Sequence, residues 1–386
     1  MLKILVLGGY GNFGKRICES LAKQTGICLL IAGRSFDKAD NLCKILRVNH
    51  NATDATPVAL DIFDPTFPEK LKTIQPFLVI HTSGPFQGQD YRVPIACIDA
   101  GAHYIDLADD RRFVCDISKL DAQAKAKNLL VVSGASSVPG LSSTVIDHFS
   151  KEFTRMDSLD IAIAPGNRAE RGEATVKAIL SYTGHAITVF ENSTWIKKFG
   201  WMSPRKVNFA GVVGKRWLAN VDVPDLELFP SRYTTVRNVN FQAGLELPWL
   251  HWCMVGMAWL AKNGVVENWA PFVKPIVAAS NMVIGLGTDI GGMQIKINGI
   301  DNMNRPKELI WRLTAENGVG PYIPTLSAII LAKRLSDATL TFRGATPCLG
   351  LYPLSDFYEA AKKWGIYYQV SINGNNVSTE AGYSGG

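Results

Sequence analysis

A glycine-rich turn directly follows the first apolar segment of this chain. Residues 2–7 (LKILVL) predict a buried strand, residues 8–14 (GGYGNFG) contain the turn, and the residues after it have the apolar spacing of an amphipathic helix. A second apolar segment, residues 27–32, predicts another strand. This order of strand, glycine turn, helix and strand gives the G-x-G-x-x-G pattern the context that a dinucleotide-binding site requires.

Each glycine of the pattern has its own physical role. Gly9 permits a tight turn, Gly11 lets a pyrophosphate approach the backbone because it lacks a Cβ atom, and Gly14 allows close helix packing. The pyrophosphate then meets the N–H groups and the positive dipole end of the helix. An ordinary glycine turn is the alternative. The predicted cofactor-binding residues of this loop are Gly9, Tyr10, Gly11, Asn12, Phe13 and Gly14.

The residues after the second strand indicate which dinucleotide binds. NAD-binding folds place an acidic residue there, whereas this chain has Arg34 and Ser35, with no carboxylate before Asp37. A guanidinium group can bind a phosphate through two parallel hydrogen bonds. We therefore expect NADP(H), with Arg34 and Ser35 at its 2′-phosphate; a solvated Arg34 is the alternative. Residues 58–62 predict a third strand, and Asp61 at its end is either an acceptor for the adenine amino group or a solvated acid.

The alternation of strand and helix continues to residue 132 and predicts an α/β fold. Residues 1–140 are expected to form a Rossmann domain with a doubly wound parallel sheet. Its ligand should lie across the carboxyl ends of the first and fourth strands, where the strand order reverses. The loop after the fourth strand then lies beside the cofactor, and its predicted cofactor-binding residues are Ser83, Gly84, Pro85 and Phe86.

The regular alternation of predicted strands and helices ends near residue 140. Residues 141–320 predict an α+β domain, to which the family resemblance described below assigns substrate binding and dimerisation. Residues 321–372 predict helices that pack back on the nucleotide domain, and residues 373–386 are expected to fray. Residues 249–261 (WLHWCMVGMAWLA) are unusually apolar but too short to span a bilayer. Three interpretations stay open for this segment: a buried core helix, a dimer interface, or a weak contact with a membrane surface.

The composition is that of a globular protein and argues against several classes. Apolar residues make up 47% and charged residues 19% of the chain. The net charge of +6 is small and the basic residues are scattered, so we expect no nucleic-acid partner. The seven cysteines include no C-x-x-C pair and no zinc-binding spacing, so we expect no metal. The chain starts in a strand without a basic and apolar leader, which favours a cytoplasmic protein.

Several blocks of the sequence occur together. The N-terminal blocks are residues 8–14, 32–35, 83–86 and 94–106 (PIACIDAGAHYID), and a Pro-Gly pair follows at 139–140. The C-terminal blocks are residues 317–324 (NGVGPYIP) and 344–351 (GATPCLGL). In this combination the chain resembles the saccharopine dehydrogenase-like family, especially its NADP-dependent reductase branch and bacterial relatives. The resemblance is good at the N-terminus, fair at the C-terminus and poor between them.

The resemblance implies a nucleotide domain followed by a mixed-sheet substrate domain, usually paired in a homodimer. It also implies that NADPH reduces an imine formed from an amino acid and an aldehyde, or that the reverse reaction oxidises a secondary amine. Family members that reduce saccharopine-like imines often carry an aspartate before the Pro-Gly pair, where this chain has Val138. The resemblance therefore does not assign saccharopine as the substrate.

Reduction of an imine is fastest when the imine is protonated, so an acid near the reacting nitrogen would help. Asp106 and Asp109 follow the fifth predicted strand, and Tyr91 is nearby in sequence; these are the candidate catalytic residues, with loop acids as the alternative. An amino-dicarboxylate substrate would need guanidinium groups, for which Arg168 and Arg171 are the candidates. A non-catalytic sensor that binds NADP(H) is the competing function, since one fold supports many functions.

Overall fold

The computed structural model describes residues 1–50 and 54–380. Up to residue 150 the strands are β1 (Leu2–Leu7), β2 (Ile27–Gly33), β3 (Asp54–Ala59), β4 (Leu78–His81), β5 (His103–Asp106) and β6 (Leu130–Ser133). The helices of this part are α1 (Asn12–Leu21), α2 (Phe36–His50), α3 (Phe67–Ile74), α4 (Arg92–Ala100), α5 (Arg111–Cys115), α6 (Asp121–Ala126) and α7 (Ser142–Ser150).

The rest of the chain is richer in strands. They are β7 (Phe153–Ala164), β8 (Ala186–Glu191), β9 (Thr194–Phe199), β10 (Arg205–Asn208), β11 (Lys215–Asn220), β12 (Asn238–Ala243), β13 (Gly291–Asp301), β14 (Pro306–Ala315), β15 (Gly344–Pro347), β16 (Tyr367–Ile372) and β17 (Asn375–Glu380). The helices are α8 (Glu173–Tyr182), α9 (Asp225–Arg232), α10 (Pro248–Lys262), α11 (Val273–Met282), α12 (Ile323–Ser336) and α13 (Leu354–Lys362). Short helical turns cover Asp116–Leu120, Ser137–Leu141, Ala270–Phe272, Ile284–Leu286 and Gly320–Tyr322.

The first of two compact units contains residues 1–141 and 322–352. Within the described residues its sheet has seven strands in the order β15-β6-β5-β4-β1-β2-β3, and every pairing between neighbours is parallel. Strand β1 lies between β2 and β4, so the strand order reverses at β1, as the sequence predicted. The predicted doubly wound parallel sheet is therefore confirmed.

The apolar pattern of the first segment explains how this unit forms. Ile4, Leu5 and Val6 are fully buried in β1, as expected for a strand of a parallel sheet that is covered on both faces. Helix α1 packs on the sheet through Ile17 and Leu21, which lie on one helical face and are also fully buried. These two elements therefore fix the glycine turn between a rigid strand and a rigid helix.

The third strand differs from its prediction. The apolar spacing placed it near residues 58–62, whereas β3 covers Asp54–Ala59. It pairs with β2 from Cys28 opposite Asp54 to Gly33 opposite Ala59, so its bounds follow the length of β2. Leu60 and Ile62 are buried after the strand has ended, which explains why they continued the apolar pattern.

The second unit contains residues 142–321 and 353–386, of which residues up to 380 are described. In that part of the chain its sheet has ten strands, eight of them in the order β10-β11-β12-β7-β13-β14-β16-β17, and β8 and β9 are attached at β12. Parallel and antiparallel pairs both occur, since β12 is parallel to β7 and β13 is antiparallel to it. The α+β mixed sheet that was expected for this part of the chain is thus confirmed.

One face of this second sheet is apolar. Ile295 in the central strand β13 lies opposite Ile161 of β7 and Trp311 of β14, and all three side chains are fully buried. The next residues along the strands, Asp160 and Lys296, are directed to the other face and are partly exposed. The strict alternation of the pleat therefore gives a sheet with one buried and one polar face.

The C-terminal boundaries differ from the prediction. Residues 321–372 were expected to be helices on the nucleotide domain, but only residues 322–352 join the first unit, and they add strand β15 as well as helix α12. Residues 353–372 belong to the second unit, because β16 extends its sheet beside β14. The tail predicted to fray from residue 373 instead forms β17 at Asn375–Glu380, and residues 381–386 lie outside the described residues.

The apolar segment 249–261 forms most of α10, but the helix is not a buried core helix. Only His251 and Ala258 are buried in it, whereas Trp249, Trp252 and Trp259 are 47%, 45% and 55% exposed. Among the described residues, no helix is long and apolar enough to cross a membrane. The core interpretation of this segment is therefore wrong.

Candidate cofactor-binding site

The glycine turn after β1 is packed too tightly for larger residues. A Cβ atom on Gly9 would lie 2.8 Å from Ile31 Cγ2, and one on Gly14 would lie 2.2 Å from the carbonyl oxygen of Gly8. The Gly11 N–H donates to the Gly8 carbonyl at 2.8 Å, which closes the turn. Gly11 itself is exposed, so its missing Cβ leaves the outer side of the turn open. This is the shape that a pyrophosphate requires.

Helix α1 starts at this open side. Gly11 is its N-cap, no side chain caps the helix, and its first turn contains no acidic residue. The Asn12 side chain is turned back along the helix, where its Oδ1 accepts from Arg16, and Phe13 is half-buried. The positive dipole end of α1 is therefore directed at a place where an anion can lie, and the residues fit the phosphates of a dinucleotide.

Tyr10 connects the glycine turn to the end of β2. A Cβ atom on Gly33 would lie 2.5 Å from Cε1 of the Tyr10 ring, so the ring packs directly on that glycine. The Tyr10 hydroxyl accepts a hydrogen bond of 3.0 Å from the Ser35 N–H. Tyr10 thus acts by positioning the loop that follows β2, and it brings Arg34 and Ser35 to the glycine turn.

The end of β2 carries a positive charge without a protein partner. Arg34 is exposed, and its guanidinium group makes no hydrogen bond or ion pair with any described residue. Ser35 precedes helix α2, and its Oγ lies 3.4 Å from the Lys38 N–H. A phosphate binds guanidinium groups and helix N-termini, so the role of Arg34 and Ser35 at a 2′-phosphate stays a prediction that agrees with their exposure and position.

Asp61 lies just beyond β3, next to the end of β2. The preceding residue, Leu60, donates its N–H to the Gly33 carbonyl at 2.9 Å. The Asp61 Oδ1 accepts from the Phe63 N–H at 3.0 Å in a local turn, and the side chain is partly exposed. One carboxylate oxygen is therefore used to shape the turn, and the side chain stays a candidate for contact with the adenine.

The loop after β4 is fastened to the glycine turn. The Thr82 hydroxyl donates to the Leu7 carbonyl at 2.8 Å, and a Cβ atom on Gly8 would lie 2.8 Å from the Ser83 Oγ. The Gln89 amide donates to the Ser83 and Pro85 carbonyls at 2.9 and 2.7 Å and holds the exposed Gly84 between them. The sequence reasoning missed Thr82 and Gln89, although both are polar residues directly within or after a strand-ending loop.

Phe86 is not placed to cover a cofactor ring. Its side chain is buried against His81 and Phe113, with ring centroids 5.0 and 5.3 Å apart. Burial also lowers the pKa of His81 to about 3, so the histidine is neutral in this apolar contact. The predicted direct role of Phe86 is therefore corrected to one of anchoring the loop that carries Ser83, Gly84 and Pro85.

Asp106 is a buried structural acid rather than a catalytic one. Its Oδ1 accepts from the N–H groups of Ala108 and Gly134 at 2.9 and 2.8 Å and from the Ser133 hydroxyl at 2.9 Å. The side chain is 0% exposed, so it cannot touch a substrate. Burial raises the pKa of Asp106 to about 6 in spite of these donors. The residue holds the ends of β5 and β6 together.

Asp109 is the acid that reaches the ligand edge of the sheet. It follows β5, it is partly exposed, and its Oδ1 lies 3.3 Å from the Gln87 amide nitrogen of the loop after β4. Burial raises its pKa above the ordinary value. The neighbouring Asp110 instead caps helix α5 by accepting from the Phe113 N–H at 2.7 Å. Of the three candidate catalytic residues, Asp109 alone keeps a suitable position.

Tyr91 has a structural role in this arrangement. Its hydroxyl donates to the Phe113 carbonyl at 2.8 Å, and its ring packs on the Phe113 ring at 4.9 Å between centroids. Burial, and then the nearby carboxylates of Asp116 and Asp106, raise the pKa of the Tyr91 hydroxyl. The Tyr91 hydroxyl already donates its proton to a main-chain carbonyl, and its raised pKa makes it a weak acid. The residue is therefore poorly suited to proton transfer, and its predicted catalytic role is corrected to a structural one.

The two predicted substrate-binding arginines lie in the second unit and differ from each other. Arg171 donates to Oδ1 of Asn167 at 2.9 Å, and burial lowers the pKa of its guanidinium group. Asn167 in turn donates to the Val283 carbonyl at 2.9 Å, so Arg171 supports a local loop. Arg168 is exposed and makes one bond of 3.1 Å to the Gly285 carbonyl, which leaves most of its donors available.

The acids, histidines and cysteines of the described residues form no group of three that could hold a metal ion. Taken together, the glycine turn, the cationic end of β2 and the fixed loop after β4 make the first unit a Rossmann-type dinucleotide-binding domain. Residues 4–132 match the family described as "Saccharopine dehydrogenase NADP binding domain". This match covers the first unit up to β6, and it confirms the resemblance predicted from the sequence and its cofactor, NADP(H).

One solved structure extends the comparison to both units. Saccharopine dehydrogenase (L-Glu forming) from Saccharomyces cerevisiae superposes with a TM-score of 0.68 over 96% of this chain and 100% of that chain, at 12% identity. A short-chain dehydrogenase from Sphingobium yanoikuyae in complex with NADPH matches 34% of this chain and 70% of its own, with 16% identity and a TM-score of 0.27. The comparison with curated proteins gave no match. The yeast enzyme thus shares the fold of both units.

Proposed function

We propose that this protein is an NADP(H)-dependent oxidoreductase that acts on a carbon–nitrogen bond of a small amino-acid-derived substrate, by imine reduction or by oxidation of a secondary amine. The observation that carries the proposal is the Asp109–Gln87 pair at the carboxyl edge of the first sheet. It places an acid beside the loop that follows β4, where the reactive end of a bound dinucleotide lies in this fold. The family of the first unit supports the same class of reaction.

The glycine turn, the loop after β4 and Asp109 would each have a different role in such a reaction. NADPH supplies the hydride when it is bound. The glycine turn and the start of α1 hold the anionic part of the cofactor, and Thr82 keeps the loop after β4 at a fixed distance from that turn. The raised pKa of Asp109 lets this carboxyl keep a proton at a higher pH than an ordinary aspartate does. Asp109 can therefore protonate a substrate nitrogen at the edge of the sheet.

Turnover of NADPH with a panel of substrates tests the proposal. The panel pairs keto acids or aldehydes with amines and amino acids, and the oxidation of NADPH is followed by its absorbance. We expect Asp109→Asn to lower kcat by about a hundredfold while the affinity for NADPH stays the same. Asp90→Asn is the matched control, because Asp90 lies on the loop after β4, is exposed and pairs only with Arg92 among the described residues.

Arg168 is proposed as the group that binds a carboxylate of the substrate. An exposed guanidinium with free donors can form two parallel bonds to a carboxylate, whereas Arg171 already holds Asn167. Arg168→Gln should raise KM for dicarboxylate substrates by about tenfold and leave kcat nearly constant. Tight NADPH binding without turnover across the whole panel would contradict the enzyme and favour a redox sensor.

The assembly of the protein is part of the same proposal. The resemblance to a family that usually pairs supports a homodimer, and analytical ultracentrifugation would measure it. The seven cysteines are all unpaired, which supports the predicted cytoplasmic location. Localisation of a tagged full-length chain would test that part of the proposal.

A further inference from the structure

The helices α10 and α11 expose an unusual number of large apolar side chains. We define the tryptophan surface as the exposed side chains of residues 249–286, of which the largest are Trp249, Trp252, Trp259, Phe272, Met282 and Leu286. A shared cluster around Leu180 and Val273 connects the two helices, and Met254 and Met257 of α10 pack against it. This cluster is small, so most of the apolar side chains stay outside it.

The three tryptophans of α10 lie on one side of the helix. Positions 249, 252 and 259 fall within about 80° of each other at the usual 100° per residue. None of their indole N–H groups donates a hydrogen bond to a described residue, whereas the Trp269 indole donates to the Met257 carbonyl at 2.9 Å. Side chains with an apolar body and an unused N–H group are typical of the interface between lipid and water.

The charges around the tryptophan surface are mainly positive. Residues 247–287 contain only Lys262, Glu267 and Lys274 as charged residues, and all three are exposed. The Lys206 ammonium lies 5.0 Å from the centre of the Trp217 ring, which packs on Trp252 at 5.2 Å between ring centroids. Lysines therefore lie beside the apolar side chains, where they can contact anions at the edge of a surface.

We propose that the tryptophan surface docks this protein on an anionic phospholipid bilayer. The apolar side chains of α10 and α11 enter the interfacial layer of the bilayer, and Lys206, Lys262 and Lys274 contact lipid phosphates. A second copy of the chain fits less well, because it would place a surface with the same excess of lysines against this one, and Glu267 is the one acid of residues 247–287. The surface therefore matches an anionic partner and does not match itself.

Co-sedimentation with vesicles tests this proposal on the full chain. The vesicles contain either phosphatidylcholine alone or phosphatidylcholine mixed with phosphatidylglycerol. We expect binding to the anionic vesicles, and we expect the double variant W252S/W259S to weaken it by about tenfold or more. Substitution of the three lysines by glutamine should weaken binding to anionic vesicles by about fivefold for each lysine and have little effect on neutral vesicles.

Matched controls distinguish binding through the tryptophan surface from nonspecific adsorption to vesicles. Trp195→Ser removes an equally exposed tryptophan, at 49%, from strand β9 and should leave binding unchanged. Retained affinity for NADPH together with an unchanged urea unfolding transition in every variant shows that both units are folded. The proposal is overturned if the wild type does not sediment with anionic vesicles, if W195S loses as much binding as W252S/W259S, or if W252S/W259S dissociates an oligomer instead of weakening vesicle binding.

Discussion

Substitution of Asp106 should change how the stability of the fold depends on pH, because this buried carboxyl holds the ends of β5 and β6 together. Its carboxylate is fully buried and its pKa is raised to about 6 from the ordinary 3.8. At about 1.4 kcal/mol for each pKa unit, the buried charge costs about 3 kcal/mol of folding free energy at neutral pH. Because the pKa is raised in the folded state, the stability that the neutral carboxyl contributes is complete below pH 3.8 and is lost as the pH rises through about 6.

The substitution Asp106→Asn keeps the acceptor and removes the charge. The amide oxygen can still accept from the N–H groups of Ala108 and Gly134 and from the Ser133 hydroxyl. We therefore expect the variant to gain about 3 kcal/mol relative to the wild type as the pH rises from about 4 to about 8. Asp106→Ala leaves three buried donors without an acceptor and should be less stable than Asp106→Asn at every pH.

Urea unfolding at a series of pH values measures these differences. The free energy of unfolding of the wild type and of both variants is extrapolated to water at each pH. A difference between wild type and Asp106→Asn that stays constant with pH would refute the reasoning, because it would show that the carboxylate ionises normally inside the fold. Turnover of Asp106→Asn close to that of the wild type would agree with a structural rather than a catalytic role.

Two further predictions concern the close packing of the glycine turn and the loss of stability at low pH. A Cβ atom on Gly14 would lie 2.2 Å from the Gly8 carbonyl oxygen, so Gly14→Ala should lower the free energy of unfolding by about 1–3 kcal/mol in a thermal or urea assay and abolish NADPH binding. Gly256→Ala is the control: its Cβ atom meets no atom within 4 Å, so this variant should be neutral or slightly stabilising. Burial lowers the pKa of His251 to about 4 from 6.5, so the wild type should lose about 3 kcal/mol as the pH falls through this range, and His251→Phe should remove that loss. Normal NADPH affinity for Gly14→Ala, or an equal acid response of His251→Phe and wild type, would contradict these assignments.

The first unit follows closely from its sequence because its signals are local. A buried strand, a glycine turn and an amphipathic helix specify each other over residues 2–21, and the reversal of strand order at β1 follows from the crossover rule. Arg34 and Ser35 could be placed at the ligand edge for the same reason, since they come directly at the end of a strand. The apolar run at residues 58–62 was misleading, because burial continued after β3 had ended.

Contacts between distant loops could not be predicted in this way. The bond from Thr82 to Leu7 joins residues 75 positions apart, and the Gln87–Asp109 pair joins two loops that only the sheet brings together. Which of the two acids is fully buried, Asp106, and which is partly exposed, Asp109, depends on the donors that surround each carboxylate.

The division of the chain between the two units also lies beyond local patterns. Residues 322–352 return to the first unit through β15, which pairs with β6 across more than two hundred residues of sequence. Residues 367–372 instead extend the second sheet beside β14. Such pairings depend on which sheet edge is open, and that is a property of the assembled fold rather than of the segment itself.

Discrimination between NADPH and NADH by calorimetry tests the central claim most directly. If the Arg34 guanidinium binds the 2′-phosphate, the wild type prefers NADPH, and Arg34→Glu lowers the affinity for NADPH by about tenfold to a hundredfold while the affinity for NADH changes little. Lys23→Glu, at an exposed position after α1, is the control for overall charge and should keep the preference. A wild type without preference for the 2′-phosphate, or a preference that survives in Arg34→Glu, would contradict the account.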